Sequence, residues 1–337
     1  QGIGHYFVLR YTRVVDTAES KDNINKAYNL ISISKVRNEM IIDDVITCVA
    51  RKQTPVILTR FKEHAKFLHD ALKEKADHVF LLYGDNSDKE NAEIRVKLKQ
   101  IPENESLILV ATGQKIGEGF DFPRLDVLML AAPVSFEGRL EQYVGRLNRD
   151  YVGKEAVYVY DYIDSHVRYF DKMYAKRLRT YRKMGFSIWT QELQPKQIIN
   201  AIFDSVNYTE KFEQDIVESE KMVVISSPDI RQDKIDRFLL LVKKRQEVGV
   251  KVTVITTDPE DITYGKSDVC YELIRAMQLV GINVITRTEV EECFAVIDDE
   301  IVWHGGMNLL GKADVWDNLM RIRNSQVATE LLEIALG

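Results

Sequence analysis

Residues Ala111 to Asp150 read ATGQKIGEGFDFPRLDVLMLAAPVSFEGRLEQYVGRLNRD, and the fold of the first half of the chain is decided there. The apolar run Leu107-Ile108-Leu109-Val110 precedes this stretch directly and has the length and composition of a buried strand. Gly113, Gly117 and Gly119 follow, closing on Asp121 and Pro123. A glycine-rich loop after a strand lets backbone N–H groups approach an anion closely. A second apolar run, Val127 to Ala132, separates that loop from Gln142-x-x-Gly145-Arg146-x-x-Arg149. Spaced i, i+3, the two arginines are expected on one helical face, as a permanently charged pair suited to phosphate oxygens.

Outward from this stretch, strand and helix patterns alternate. Pro55–Thr59, Val79–Tyr83 and Ala156–Tyr162 are predicted strands, and 60–72 and 88–99 are predicted helices. Such alternation implies an α/β unit with a parallel sheet and helices on both faces. Catalytic groups in such sheets are expected at the carboxyl ends of strands, where Thr59, Thr112 and the glycine loop fall. Residues 22–51 show helical spacing, and 166–184 form a basic helix with Tyr169, Tyr174 and Tyr181 interleaved. Those tyrosines are read as packing inward beneath a solvated face. Residues 186–220 read as a joint ending in a helix. From Lys221 the pattern restarts with strands at Met222–Ser226, 250–256 and 282–286, then a hairpin about Asp298-Asp299, making a second α/β domain over 221–337.

Bulk properties narrow the partners. The 337 residues suggest two domains, and a net charge of −6 excludes a uniformly basic nucleic-acid binder, so any such contact must be a local patch. Cys48, Cys270 and Cys293 are widely separated, with neither disulfide nor metal-ligand spacing, which fits a reducing cytoplasm. No metal site and no membrane partner is expected. The chain opens at Gln1 in mid-pattern, so residues 1–21 are expected to be a remnant of, or linker from, a missing N-terminal domain, with a short strand near Tyr6 to Leu9.

Two resemblances refine this reading. Thr112-Gly113-x5-Gly119-x-Asp121 resembles motif V of superfamily 2 helicases, and Gln142-x-x-Gly145-Arg146-x-x-Arg149 resembles motif VI. In that order they resemble the second RecA-like domain of a DEAD/DEAH-type or restriction-subunit-type translocase, here over 22–185. The strand end at Thr59-Arg60 resembles motif IV, although an ordinary βα unit would read the same. The resemblance implies ATP and Mg²⁺ in a cleft shared with a first RecA-like domain supplied in cis. It implies Arg149 as arginine finger, with Arg146 and Gln142 beside it, and Gly119 and Asp121 toward the nucleotide. Thr59, Arg60, Thr112 and Gly113 would face nucleic acid, DNA in preference to RNA. The sequence holds no G-x-x-x-x-G-K-[ST] loop, so it would carry half of an ATPase.

The C-terminal half resembles the phospholipase D-like fold. Active members carry His-x-Lys-x4-Asp and then Gly-Ser-x-Asn; the corresponding positions here read Glu291-x-Cys293-x4-Asp298 and Gly305-Gly306-Met307-Asn308. Nucleophile and cation are both replaced, so the resemblance implies the fold without the reaction, as a DNA-binding, docking or homodimerising module. Two other readings stand beside these: a nuclease driven by the helicase part, and a binding scaffold with no enzymatic role.

Overall fold

The computed structural model describes residues 2–113, 121–134, 137–189, 202–262 and 267–337. The chain divides into two compact units, Gln1–Ile199 and Asn200–Gly337.

Along the first unit run β1 (Gly4–Tyr11), α1 (Ala18–Asp22), α2 (Ile24–Ile33), α3 (Lys35–Ala50), β2 (Pro55–Thr59), α4 (Lys62–Leu72) and β3 (His78–Leu82). They are followed by α5 (Asp88–Gln100), β4 (Leu107–Thr112), β5 (Val127–Leu130), α6 (Glu137–Leu147), β6 (Ala156–Ile163), α7 (Arg168–Lys183) and β7 (Ser187–Trp189). The strands form one sheet in the order β3-β4-β2-β5-β6-β1-β7, and every pairing is parallel. β2, β4 and β5 lie inside the sheet and are buried almost throughout, as continuous apolar runs require when helices cover both faces. Pro55 opens β2, a position where a missing N–H is tolerated. The two faces are visible in adjacent residues of β1. Val8 packs in the core with Ile41 and Val45 of α3 and Leu68 of α4, while the Phe7 ring stacks on Tyr181 of α7 at 4.4 Å.

Two expectations are corrected here. Residues 1–21 are not an outlying remnant: β1 pairs along its whole length with β6 and also with β7, inside the first sheet. The helical spacing of 22–51 is realised as two helices, because the Asn23 and Ser34 side chains each accept backbone N–H groups of the turn that follows and start a new helix. The 186–220 segment is not a single joint. Ser187–Trp189 ends the first sheet, whereas Ile202–Asp204 and the helix after it belong to the second unit.

In the second unit the order is β8 (Ile202–Asp204), α8 (Thr209–Val217), β9 (Met222–Ser226), α9 (Gln232–Glu247), β10 (Lys251–Thr257), α10 (Ser267–Leu279) and β11 (Asn283–Arg287). The expected hairpin follows as β12 (Cys293–Ile297) and β13 (Ile301–Gly305), then β14 (Asn318–Arg323) and α11 (Ser325–Leu336). The sheet order is β11-β10-β9-β12-β13-β14-β8, parallel from β11 to β9 and antiparallel beyond. Both units are therefore α/β. At the centre of the second, Asp215 accepts from Trp303 Nε1 at 2.8 Å and from two nitrogens of Arg321 at 2.8 Å each, so the carboxylate is buried with its charge paired. Among the described residues no helix is long and apolar enough to cross a membrane.

Candidate functional site

A parallel sheet has a carboxyl edge and an amino edge, and the residues singled out by the sequence divide between them. Thr59 and Thr112 pair as the last residues of β2 and β4, at the carboxyl edge. Gly113 follows Thr112 and sits against α6: a Cβ there would lie 2.5 Å from Tyr143 Oη. Arg60 is exposed beside them, its guanidinium 4.3 Å from the centre of the Tyr28 ring.

Asp121 and Arg149 lie at the amino edge. The backbone between and around them is tied to the starts of strands: Asp126 N–H donates to Thr54 O just before β2, and Asn148 Oδ1 meets His5 Nε2 near the start of β1 at 3.1 Å. Helix α6 leaves β5 at the carboxyl edge and returns antiparallel to it, so its far end arrives at the amino edge. Thr59 and Thr112 lie at the carboxyl ends as expected, whereas Asp121, which closes the glycine loop, lies at the opposite edge with Arg149. The pairing of Arg146 and Arg149 on one helical face is corrected too: α6 ends at Leu147, and Arg149 stands beyond it. Gln142 is exposed and Arg146 half-buried on the helix. Gly117 and Gly119 lie outside the described residues.

At the amino edge Arg149 Nε is 3.6 Å from Asp121 Oδ1, and the two side chains are 52% and 55% exposed. One lysine organises the backbone beneath them. Lys154 Nζ donates to Pro123 O at 2.9 Å, to Leu125 O at 2.7 Å and to Leu147 O. It therefore joins the segment after Asp121 to the last turn of α6, where unpaired carbonyls attract a cation. Burial pushes the Lys154 ammonium below its usual range, and the neighbouring Asp126 opposes that shift. Burial likewise raises Asp126 to about 6, against the hydrogen bond it accepts from Thr54 N at 2.7 Å. Lys154 was not singled out by the sequence; its only signal was an isolated lysine before a strand.

Thr59 turns inward. It is 4% exposed, and its hydroxyl is 2.5 Å from Nδ1 of His64, whose Nε2 is 2.8 Å from Asn38 Oδ1. Burial lowers His64 to about 3, so the ring is neutral. The motif IV resemblance is left with Arg60 alone.

The turn that carries the chain from β5 into α6 is held by residues the sequence did not mark. Arg37 makes a two-pronged pair with Asp164 at 2.9 and 3.0 Å and donates to Ala131 O at 2.6 Å. Arg177 pairs with Asp161 at 2.8 and 2.9 Å and donates to Val134 O at 3.0 Å. Tyr28 Oη donates to Pro133 O at 2.8 Å. Both arginines are buried, and together these donors hold the backbone that leaves β5, at Ala131, Pro133 and Val134. The aromatic side of α7 does pack inward: Tyr174 and Tyr181 are fully buried.

In the second unit the degenerate motif is dismantled rather than vacant. Cys293 is 6% exposed, and its Sγ lies 3.9 Å from both Glu291 O and Asn308 Oδ1. Asn308 Oδ1 accepts from Asp229 N at 2.9 Å. Ser227 Oγ donates to Asp229 O and accepts from Leu310 N. Gly305 is required by close approach, since a Cβ there would sit 2.1 Å from Asn318 O. Asp298 does not belong to this cluster. It lies past the far end of β12, in the left-handed region at φ 57°, and its carboxylate accepts from the N–H groups of Glu220, Lys221 and Met222. The motif spacing therefore spans a whole strand, with its two ends doing separate work. No group of three or more His, Cys, Asp or Glu among the described residues could hold a metal ion.

This arrangement predicts that the chain cleaves no phosphodiester. On the phospholipase D-like resemblance, Glu291 offers a carboxyl group where active members place the attacking imidazole, and Cys293 supplies no cation for the oxygens. A chromogenic phosphodiester and single-stranded and duplex DNA, incubated without metal, are expected to stay intact. Cleavage that disappears in Asn308→Ala would overturn the assignment.

No family model matches the chain. Over 120 residues it is 32% identical to the transcript termination protein A18 of Yaba-like disease virus, covering 35% of this chain and 24% of that protein. The first relatives are matched over only 24% to 40% of their own lengths. Among solved structures, T4 UvsW aligns with 55% of this chain and 41% of its own at a TM-score of 0.45 and 19% identity. Nuc of Salmonella typhimurium, a phospholipase D family member, aligns with 39% of this chain and 88% of its own at a TM-score of 0.32 and 16% identity.

Proposed function

We propose that the first unit is the second RecA-like half of a nucleic-acid-stimulated ATPase of the helicase type. The observation that carries this reading is the Asp121–Arg149 pair. Two motif residues far apart in sequence meet at one exposed edge, while Thr112 and Gly113, at the start of the same loop, occupy the other. The residues fit a triphosphate: an exposed ion pair contributes at most about 1 kcal/mol, so the Arg149 guanidinium can exchange Asp121 for phosphate oxygens at small cost. The relative named for transcript termination is in keeping with a nucleic-acid substrate.

On this reading, bound ATP with Mg²⁺ supplies the phosphoanhydride and the charge to which these side chains respond. Arg149 neutralises charge on the transferring phosphoryl group. Arg146 contacts phosphate from the last turn of α6, and Gln142 orients both. Asp121, with Gly119 before it, faces the nucleotide. Arg60, Thr112 and Gly113 contact the backbone of the tracked strand, DNA in preference to RNA. The phosphate-binding loop and the metal ligands come from a first RecA-like domain. The second unit serves as a non-catalytic docking or dimerising module.

The test is phosphate release. A longer protein that joins this chain to a phosphate-binding RecA-like domain is expected to hydrolyse ATP faster when nucleic acid is added. The chain alone is expected to release none above a heat-treated control. Turnover by the chain alone, or a longer protein indifferent to nucleic acid, would overturn the reading.

A further inference from the structure

Helix α7 has one face that the function above does not use. Its sixteen residues contain one acid, Asp171, and that side chain is buried. Its cations divide sharply. Arg177 is spent on Asp161 in the core and Arg182 is exposed to one side, whereas Arg168, Lys172, Lys176 and Lys183 are exposed and Arg179 is half-exposed. At 100° per residue these last five fall within an arc of about 80°, and from Arg168 to Lys183 they extend roughly 22 Å. The result is a single row of positive charge on a chain whose net charge is −6. One carboxylate lies at each of its two ends. Asp16 accepts from Arg168 N at 2.8 Å, and Glu141 lies 3.4 Å from Lys183 Nζ. Between them Lys172, Lys176 and Arg179 make no ion pair with the described residues.

The row also begins where the nucleic-acid edge ends. Helix α7 starts just after β6, at the carboxyl edge of the sheet, and descends toward the amino edge. At its head Phe170 packs on Tyr28 with ring centroids 4.8 Å apart, and the Arg60 guanidinium lies 4.3 Å from the centre of the same ring. Arg60 therefore lies close to the first turn of α7, where the row begins with Arg168.

We infer that the Arg168–Lys183 face of α7 is a sequence-blind track for the phosphate backbone of a nucleic-acid strand leaving the carboxyl edge. Regular cations whose central members make no ion pair with the described residues suit a regular polyanion, and the absence of exposed aromatic side chains along the row argues for backbone contact rather than base stacking. The inference rests on the proposed function for the class of ligand, not for the surface.

The experiment uses the whole chain with labelled oligo-dT and oligo-U of about 20 nucleotides, titrated across a salt series. The triple variant Lys172→Gln, Lys176→Gln, Arg179→Gln is compared with the charge-keeping Lys172→Arg, Lys176→Arg, Arg179→Lys and with Arg60→Gln. Removing three backbone contacts is expected to weaken binding roughly tenfold or more near 0.1 M salt and to lower the slope of log K against log salt by about 2. The charge-keeping variant should bind as the parent does, and unchanged melting curves should accompany both. If the glutamine variant keeps the parent's affinity and slope while Arg60→Gln loses affinity, the track is wrong and the nucleic-acid edge stands. If the parent binds neither oligonucleotide, both fall. If polyglutamate displaces the oligonucleotide equally well per charge, the row serves an acidic protein and the inference is overturned.

Discussion

Arg149→Ala, introduced into a longer protein that carries this chain beside a phosphate-binding domain, is expected to lower nucleotide turnover by roughly 10³-fold or more. Affinity for nucleic acid should hardly change. The reason is placement: Arg149 sits beside Asp121 at the amino edge, on the opposite side of the sheet from Thr112 and Arg60. A guanidinium that acts on developing charge affects the transition state, whereas a backbone contact affects binding and its salt dependence. Single-turnover phosphate release and a salt series of binding curves separate the two. Weakened, salt-dependent binding with an unchanged rate per bound complex would mean that Arg149 serves the other edge.

The second large effect concerns stability. Arg177→Leu leaves the Asp161 carboxylate buried with only the Tyr181 hydroxyl, which donates to it at 2.8 Å. Removing one partner of a buried pair typically costs about 3–5 kcal/mol, because the remaining charge has lost its compensation. Replacing both, as Arg177→Leu with Asp161→Leu, should recover much of that loss. Native-state hydrogen exchange at the β6 amides, which bond across to β1 and β5, reads the first unit without interference from the second. A cost below about 1 kcal/mol for the single change would show that the site rehydrates and that the pair is not a structural requirement. The single variant should also loosen the backbone that leaves β5, since Val134 O loses its donor.

The extent to which this molecule is legible in its sequence follows from how local each cause is. Leu107–Val110 and Pro55–Thr59 are apolar on both faces, and only a strand inside a parallel sheet accounts for that. The hairpin about Asp298 was equally plain. The three-residue strands Ser187–Trp189 and Ile202–Asp204 were not, because pairing partners distant in sequence define them and nothing in their own composition does. Arg177 was hidden among the cations of α7. Its i+3 and i−4 relation to Tyr174 and Tyr181, both buried, was the available signal that it points inward. Thr59 misled for the opposite reason: it closes a strand where a surface residue is expected, yet His64 one turn into the next helix covers it. The placement of Arg149 was deducible in principle. A helix of eleven residues is about 16 Å long, close to the height of the strands beside it, so it must end at the opposite edge from its start.

That division of edges bears on pharmacology. On the proposed function, a small molecule lodged at Asp121 and Arg149 would not contend for space with a strand held at Arg60 and Thr112, because the full height of β4 lies between them. Inhibition from the amino edge would then be non-competitive toward nucleic acid. Raising the concentration of the polymer would not relieve it, whereas a polyanion acting at Arg60 would be displaced.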